Sequence, residues 1–476
     1  MSIRRHLFHC FLTACGLGLP AIAPAAPNVL FIVIDDLNTS LGCYGNPTVK
    51  SPNIDRLAAR GTRFEAAYCQ YPLCNPSRTS FLSGRRPENT GVYVLNTAAR
   101  TAMPAAVLLP QFFRERGYFT AGAGKVFHNA KVSDPKSWDF YEDGNGADPQ
   151  EQAALQDRAG GDGRPAWQVL DGDGSRTRDG LNARTIAAFI GEKAAAKKSF
   201  FVAAGFHKPH LPWTAPKRFF DLYPDGTIQL PAEPPMRNVP AIAVQTELSG
   251  FEQPSTRAAA VRGYYACISS TDAQVGLLLD QLDRLDLWKT TTVVLLGDNG
   301  YHLGDHGGLW AKLSAYEVSN HVPLIFAGAG VPAGRVIAGP VELLDVYPTL
   351  LELTGFPRQP GLEGKSLVAA MQGAKPAAEP IAFSLVFHYD VAGRRDVLGH
   401  TAIASTWRYT EWEGGAMGRE LYSAKTDAGE YHNRIDDPAL KTIQEAGQTA
   451  LKTLPVIKPG PANRPRALAP GDQRVN

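Results

Sequence analysis

The stretch Asn28-Val-Leu-Phe-Ile-Val-Ile-Asp-Asp36 decides the fold. Residues 29–34 are all apolar and rich in β-branched side chains, and two carboxylates follow at once. An unbroken apolar run of this length is typical of a strand that is buried on both faces of a parallel sheet. The pattern therefore predicts a buried strand whose carboxyl end carries polar groups.

Similar segments recur along the chain and alternate with helical patterns. Three more buried strands are predicted, at Ser199–Gly205, Thr291–Leu296 and Val322–Phe326. Apolar periodicity and end signals predict helices at Pro52–Arg60, after Pro76, at Pro104–Arg116 and at Arg257–Leu287. Strands that alternate with helices indicate an α/β fold with a large, mostly parallel sheet flanked by helices.

The pattern of apolar and polar residues changes near residue 376. Strand patterns at Ala402–Thr410 and Glu420–Tyr422, and a helix at Pro438–Leu451, predict a small α+β subdomain. The Gly- and Asp-rich segment 141–180 is predicted to be an insertion loop. The Pro-rich segment 221–256 is predicted to run along the surface. We therefore expect a catalytic domain over 27–375, a C-terminal subdomain over 376–455 and a disordered tail over 456–476.

The first 26 residues have the order of a signal peptide. Arg4 and Arg5 form a charged start, a short apolar stretch follows, and Ala23-Pro-Ala25 offers a cleavage site. Export to the periplasm or the medium is expected. A lipid anchor on Cys15, within Leu12-Thr-Ala-Cys15, and a twin-arginine signal remain alternatives. No other stretch is long and apolar enough to predict a transmembrane segment.

Charge and cysteine content narrow the function classes. Over 476 residues the formal net charge is only +2, so no general field would hold nucleic acid, and an anionic substrate must be bound locally. Of six cysteines, Cys10 and Cys15 fall in the predicted signal. The other four show no CxxC spacing, which disfavours a zinc site or a disulfide scaffold.

Two polar doublets follow predicted strands, Asp35-Asp36 and Asp298-Asn299. Carboxyl ends of parallel strands meet at one edge of a sheet, so these side chains should lie together. Carboxylate and amide oxygens are the ligands that calcium and magnesium prefer. A single Asp after a strand is more often a helix N-cap, but two doublets at equivalent positions favour a metal site.

The segment Cys74-Asn-Pro-Ser-Arg-Thr-Ser80, followed by Gly84-Arg85, resembles the signature of the type I, formylglycine-dependent sulfatase family. The resemblance runs from Asn28 to about Asn433. Five segments are similar to its iduronate-2-sulfatase-like subgroup: Leu41-Gly-Cys-Tyr-Gly45, Gly124-Lys-Val-Phe-His128, His207-Lys-Pro-His-Leu-Pro212, Trp310-Ala-Lys312 and His321-Val-Pro-Leu324. One departure is Asp298-Asn299, where the subgroup often has Asp-His.

The resemblance implies an alkaline-phosphatase/sulfatase-like fold with a mixed, mostly parallel sheet. It also implies that a maturation enzyme oxidises Cys74 to formylglycine. One hydroxyl of the hydrated aldehyde would attack sulfur and expel the alcohol, and the other would then release sulfate. The resemblance further implies one Ca²⁺ per chain, with five ligand residues: Asp35, Asp36, Cys74, Asp298 and Asn299.

The resemblance assigns six catalytic residues: Cys74, Arg78, Lys125, His128, His210 and Lys312. Arg78 would stabilise the hydroxyls and the two lysines would hold sulfate oxygens. His128 would act as base, and His210 would contact sulfate or protonate the leaving oxygen, with His207 as second candidate. Taken singly, each residue could equally be structural, and their joint occurrence in family order decides the reading.

The implied function is hydrolysis of sulfated sugars, with 2-O-sulfated uronates of heparan or dermatan sulfate, both glycosaminoglycans, as candidate substrates. Five residues are candidates to bind a sugar carboxylate: Arg85, Arg86, Lys208, His302 and His306. Two alternatives remain open. One is a phosphonate or phosphate monoester hydrolase that shares the nucleophile, and the other is an inactive carbohydrate-binding relative.

Overall fold

A computed structural model describes residues 26–457, except for 144–146, 161–166, 246–250 and 252. The predicted signal segment, with Cys15, lies outside the described residues except for Ala26. The predicted tail also lies outside them, apart from residues 456 and 457.

Sixteen strands and thirteen α-helices lie within the described residues. The strands β1 to β16 are Asn28–Ile34, Gly61–Tyr68, Phe119–Gly124, Phe140–Glu142, Trp167–Leu170, Phe200–Phe206, Trp213–Pro216, Thr291–Gly297, His302–Leu303, Trp310–Ala311, His321–Gly328, Arg335–Glu342, Ala382–Asp390, Arg395–Ile403, Trp407–Trp412 and Arg419–Ser423. The helices α1 to α13 are Pro52–Arg60, Cys74–Ser83, Pro87–Thr90, Ala99–Ala102, Leu109–Arg114, Pro149–Gly160, Arg178–Ala195, Lys217–Phe220, Pro254–Arg284, Glu317–Asn320, Val346–Leu353, Val368–Met371 and Lys441–Leu451.

The central sheet has eight strands in the order β12-β2-β11-β8-β1-β6-β3-β4. Seven of them run in one direction, and β11 runs against both of its neighbours. Helices cover both faces, so the predicted α/β fold with a mixed, mostly parallel sheet is confirmed. The polar groups that follow β1, β3, β6 and β8 therefore emerge at one edge.

Strand β1 lies between β6 and β8, and its side chains contribute to two hydrophobic cores. Leu30, Ile32 and Ile34 pack on one face with helices that include α1, α7 and α9. The alternate residues 29, 31 and 33 pack on the other face with α2, α5 and α11. Each of these side chains is fully buried, which stabilises the fold by about 1.5–3 kcal/mol per residue. This burial fixes the position of Asp35 and Asp36.

A smaller antiparallel sheet, β13-β14-β15-β16, follows in the chain and packs against α13. Its first strand also contacts the main body, since the Leu385 amide donates to the Gln70 carbonyl at 3.0 Å. A small α+β unit was predicted in this part of the chain. The domain boundary at residue 376 stays a prediction.

Several predicted elements were wrong in extent. The helix predicted at Pro104–Arg116 is only Leu109–Arg114, because Pro110 has no N–H to bond the carbonyl of residue 106. The segment 141–180 is not a plain loop, since it holds α6 and β5. The strand predicted at Ala402–Thr410 is two strands, divided by a turn after Ile403.

In the described part of the chain, no helix combines the length and the apolar character needed to cross a bilayer.

Candidate active site

The site lies where β1, β3, β6 and β8 end and where α2 begins. Cys74 is the first residue of α2 and is 1% exposed. Its Sγ atom lies 3.0 Å from Lys312 Nζ, 3.8 Å from Lys125 Nζ and 3.9 Å from Asp36 Oδ1. Burial and the nearby Asp35 carboxylate raise the pKa of the Cys74 thiol. An unmodified thiol would therefore stay protonated and be a poor nucleophile.

Arg78 lies one turn along α2 and joins the strand ends. Its guanidinium donates to Asp35 Oδ1 at 3.0 Å, to Asp298 Oδ2 at 2.8 Å and to the carbonyls of Lys125 and Val126. It is fully buried, so its removal would leave two buried carboxylates without their partner. In the structure Arg78 therefore holds the carboxylates in place.

Three carboxylates are crowded together at this edge, with oxygens of Asp35, Asp36 and Asp298 within 4.8 Å of one another. Burial raises the pKa of Asp298 to about 7, and the charges of Asp35 and Asp36 act in the same direction. Burial would also raise the pKa of Asp35, but Lys125 and other nearby cations hold it well below its usual range. Such a group of buried oxygens favours a bound cation.

Asn299 completes this oxygen set. Its amide nitrogen donates to Asp36 Oδ1 at 2.8 Å and to the Gly300 carbonyl at 2.9 Å, so the orientation of the amide is fixed. Its Oδ1 is buried and has no hydrogen-bond partner in the part of the chain that the structure describes. A buried acceptor of this kind requires a ligand or a donor, and an amide oxygen suits a hard cation. The residues thus fit a metal ion that is held by oxygen ligands.

The two lysines flank Cys74 from different elements. Lys125 follows Gly124, whose φ of 78° and close approach to the Gly205 carbonyl exclude a side chain there. Lys125 Nζ lies 2.5 Å from Asp35 Oδ2, and Lys312 Nζ contacts Asp36 Oδ1. Burial opposes both charges, but the carboxylates raise the pKa of both lysines. Both ammonium groups are therefore cations beside the candidate nucleophile.

Two histidines complete the cluster. His128 is 6% exposed, and burial, together with the charge of Lys125, lowers its pKa to about 2, so its ring is neutral. His210 places Nδ1 at 2.7 Å from the Leu211 carbonyl, which fixes a proton on that nitrogen. Its Nε2 faces Asp36 Oδ2 at 3.8 Å. The structure thus brings the predicted site residues together around Cys74 and Asp36.

The second candidate, His207, is placed differently. Its Nδ1 lies 3.1 Å from Asp179 Oδ1 and its Nε2 lies 3.3 Å from Asp143 Oδ1. It therefore anchors the strand end to the segment 141–180, and His210 is the histidine of this tetrapeptide that faces the carboxylate of Asp36.

The five residues considered for a sugar carboxylate are held mostly by protein groups. Arg86 makes two bonds of 2.6 Å to Glu342, and Lys208 Nζ donates to the Pro212 carbonyl at 2.5 Å. Arg85 follows the far end of α2 and lies against Gly361. His302 and His306 both contact Asp305. The contacts of Arg86 and Lys208 leave these two side chains poorly placed for substrate.

Sequence reasoning missed two residues that bond the backbone carbonyls of candidate metal ligands. Tyr264 donates its hydroxyl to the Asp36 carbonyl at 2.7 Å and accepts from the Asn38 amide at 3.0 Å. Ser77 donates to the Asp298 carbonyl at 2.5 Å. Ser77 lies within the Cys74 motif, so it could have been found. Tyr264 gave no signal, because it fits the apolar pattern of α9.

Comparison with known proteins identifies the family. The family model described as Sulfatase matches residues 27–356, and that of the N-sulphoglucosamine sulphohydrolase C-terminal region matches residues 304–456. The chain is 32% identical to a sulfatase of Formosa agariphila over 88% of this chain and 85% of the relative. It is 31% identical to human iduronate 2-sulfatase, over 87% of this chain and 92% of the relative.

Among solved structures, a phosphonate monoester hydrolase of Agrobacterium radiobacter superposes with a TM-score of 0.73. At 20% identity, over 90% of this chain and 94% of that chain, this likeness concerns the fold. The family model and the two sulfatase relatives show the family as well as the fold. The chain therefore belongs to the sulfatase family and is a sulfuric ester hydrolase.

Proposed function

We propose that this sulfatase hydrolyses sulfate esters of sulfated sugars, and that 2-O-sulfated uronates of glycosaminoglycans are its substrates. The observation that carries the proposal is the position of Cys74 Sγ between two ammonium groups and beside the carboxylates that would hold a metal. The likeness to human iduronate 2-sulfatase over most of both chains supports the substrate class.

Cys74 is the proposed precursor of the nucleophile. A maturation enzyme would oxidise it to formylglycine, whose hydrated form supplies a hydroxyl for attack on sulfur. Burial raises the pKa of the Cys74 thiol, so without that change it would be a poor nucleophile.

The proposed metal is one Ca²⁺ per chain, held by oxygens of Asp35, Asp36, Asp298 and Asn299 and by the oxidised side chain of residue 74. When bound, Ca²⁺ supplies positive charge that lowers the pKa of the nucleophile. Oxygen ligands suit calcium and magnesium alike, and the size of the donor set favours calcium.

The remaining residues act on charge and protons. Lys125 and Lys312 would bind the sulfate oxygens and offset the charge that develops there. His210 donates a hydrogen bond from Nδ1 to the Leu211 carbonyl. Nε2 is therefore the atom that would pass a proton to the leaving oxygen. His128, neutral and buried, would accept a proton during release of sulfate. Arg78 would stabilise the hydroxyls while it holds the carboxylates.

A second candidate is hydrolysis of phosphonate or phosphate monoesters. Two lysines and a metal suit any tetrahedral oxyanion, so this activity would use the same groups. An inactive carbohydrate-binding relative is the less favoured third reading, since the described site lacks none of the predicted groups. We also propose export, with residues 1–26 as a signal peptide or, through Cys15, a lipid anchor.

The test is release of inorganic anion from a panel of esters by the matured enzyme. The panel contains a 2-O-sulfated uronate disaccharide, a 6-O-sulfated hexosamine disaccharide, an aryl sulfate and a phosphonate monoester. We expect the highest kcat/KM with the 2-O-sulfated uronate. Preference for the 6-O-sulfated sugar would refute the regiospecificity, and preference for the phosphonate would favour the second candidate.

The matched control for this assay is Cys69→Ala. Cys69 is a fully buried thiol five residues from Cys74, and its Sγ contacts only the Ser319 carbonyl at 3.9 Å among the hydrogen bonds of the described chain. Its replacement should leave the substrate preference unchanged.

A further inference from the structure

Lys312 lies in an unusual piece of backbone. The residues on each side of it, Ala311 and Leu313, have φ angles of 69° and 67°. Residues with side chains rarely adopt this left-handed conformation unless their surroundings hold them. Ala311 is paired with His302 in the β9–β10 hairpin, and the Leu313 amide donates to the Pro72 carbonyl at 3.2 Å. The Leu313 carbonyl also needs a partner.

His388, on strand β13 of the C-terminal sheet, provides that partner. Its Nε2 lies 2.6 Å from the Leu313 carbonyl, and its Nδ1 lies 2.6 Å from the Ile242 carbonyl. The ring is 2% exposed and lies 4.6 Å from the Trp412 ring. Carbonyl oxygens only accept hydrogen bonds, and burial lowers the pKa of the His388 ring. A neutral ring donates through one nitrogen, so the bond to Leu313 forms when the proton is on Nε2.

We infer that His388 is a positioning residue that fixes the Lys312 ammonium beside Cys74 by holding the Leu313 carbonyl. The inference rests on the proposed role of Lys312 in sulfate binding. It gives the C-terminal sheet a part in the reaction although none of its strands carries a predicted catalytic residue. Loss of the Leu313 bond would release the strained backbone and shift Nζ, which now lies 3.0 Å from Cys74 Sγ.

Two substitutions separate this role from a general effect on stability. The amide nitrogen of Gln can take the place of Nε2 and keep the Leu313 bond, whereas that of Asn can take the place of Nδ1 and keep the Ile242 contact. Each variant loses one of the two contacts, so a purely structural His388 predicts similar behaviour for both. A positioning role predicts that only His388→Asn weakens sulfate binding.

The readout is the Kd of inorganic sulfate by titration calorimetry, with Tm measured for each variant. We expect His388→Asn to weaken sulfate binding about tenfold, the equivalent of one hydrogen bond, and His388→Gln to stay close to wild type. In a Lys312→Ala background, His388→Asn should cause little further change in the Kd of sulfate. Equal Kd values for the two variants, or additive effects with Lys312→Ala, would overturn the inference.

A second measurement does not depend on either variant folding. Nitrogen-15 spectra of the wild-type protein should show a proton on Nε2 of His388 at the pH of highest turnover. A ring that carries its proton only on Nδ1 would contradict the bond to Leu313. Failure of the proposed function would appear elsewhere, as sulfate binding by the wild-type enzyme without release of sulfate from any ester.

Discussion

Two groups of potential metal ligands differ in what surrounds them. The strand-end cluster comprises Asp35, Asp36, Asp298 and Asn299, and the hairpin cluster comprises His302, Asp305 and His306. In the strand-end cluster, carboxylates are crowded beside an amide oxygen that has no hydrogen-bond partner among the described residues. A buried acceptor left in this way is expected to take a ligand or a donor.

Most polar atoms of the hairpin cluster have partners within the protein. Asp305 Oδ1 contacts Nδ1 of both histidines, and His302 Nε2 lies 2.7 Å from Ser314 Oγ. The ring of His306 stacks on Tyr316 and on Tyr431, at centroid distances of 4.3 and 4.9 Å. Its buried Nε2 has no hydrogen-bond partner among the described residues, but it points away from Asp305. Ligand chemistry alone therefore does not distinguish a metal site from a structural cluster.

The largest effect should come from Cys74, which faces the strand-end cluster. Cys74→Ala should lower kcat for sulfate ester hydrolysis by more than about a thousandfold, because it removes the nucleophile. Steady-state sulfate release is the measurement, and Cys69→Ala is the control. Activity in Cys74→Ala within tenfold of wild type would remove the strand-end cluster from the reaction.

Lys312 follows the β9–β10 hairpin and reaches the strand-end cluster through Asp36. Lys312→Ala should lower kcat/KM by about 10²–10³-fold, as expected for one preorganised charge at a developing anion. Lys289→Ala is the control, since that side chain is exposed and precedes β8, at the opposite end of the strand from the site. An unchanged kcat/KM in Lys312→Ala would mean that the lysine serves only to balance Asp36.

Ca²⁺ affinity should depend on the strand-end cluster and not on the hairpin cluster. Chelation should abolish turnover and Ca²⁺ should restore it. Asn299→Ala should weaken Ca²⁺ binding by at least about 10–100-fold, the range seen for groups that only support a ligand. His306→Phe keeps a ring for the two tyrosines to stack on and should leave Ca²⁺ affinity unchanged. Calorimetric titration of both variants is the test, and the reverse result would exchange the roles of the clusters.

The smallest effect should be on stability, and it should depend on pH. The two histidines hold the pKa of Asp305 well below its usual range, against burial, which would raise it. Asp305→Asn should therefore lower the free energy of unfolding by about 1–3 kcal/mol at neutral pH. A depressed pKa stabilises the fold only while the carboxylate is charged, so the difference from wild type should shrink as the pH falls below the ordinary carboxyl range. Denaturant unfolding of both proteins at several pH values measures this difference in free energy of unfolding. A difference that does not change with pH would contradict the explanation.

The elements that sequence predicted well are those with a simple burial pattern. Strands β1, β6, β8 and β11 each contain a run of buried apolar residues, and the doublets after β1 and β8 lie together as expected. Strand β3, Phe119–Gly124, was missed because Gly and Ala dominate it and their small side chains give no apolar signal. Strand β2 was missed because polar residues interrupt it on the less buried face.

For the site, motifs located the residues but not their partners. The prediction placed Lys125 and Lys312 on sulfate, and the structure adds that each contacts a carboxylate of the strand-end cluster. The contacts of Tyr264 and His388 span more than 200 and more than 70 residues of chain, which no local pattern records. Such long-range hydrogen bonds become visible only when the strands are placed.

The measurement that tests the central claim most directly is the mass of the peptide that contains Cys74, taken from enzyme expressed in a host able to mature sulfatases. The account predicts the mass of a thiol converted to an aldehyde, together with release of sulfate by the same preparation. An unmodified thiol in a preparation that still releases sulfate would contradict the proposed nucleophile.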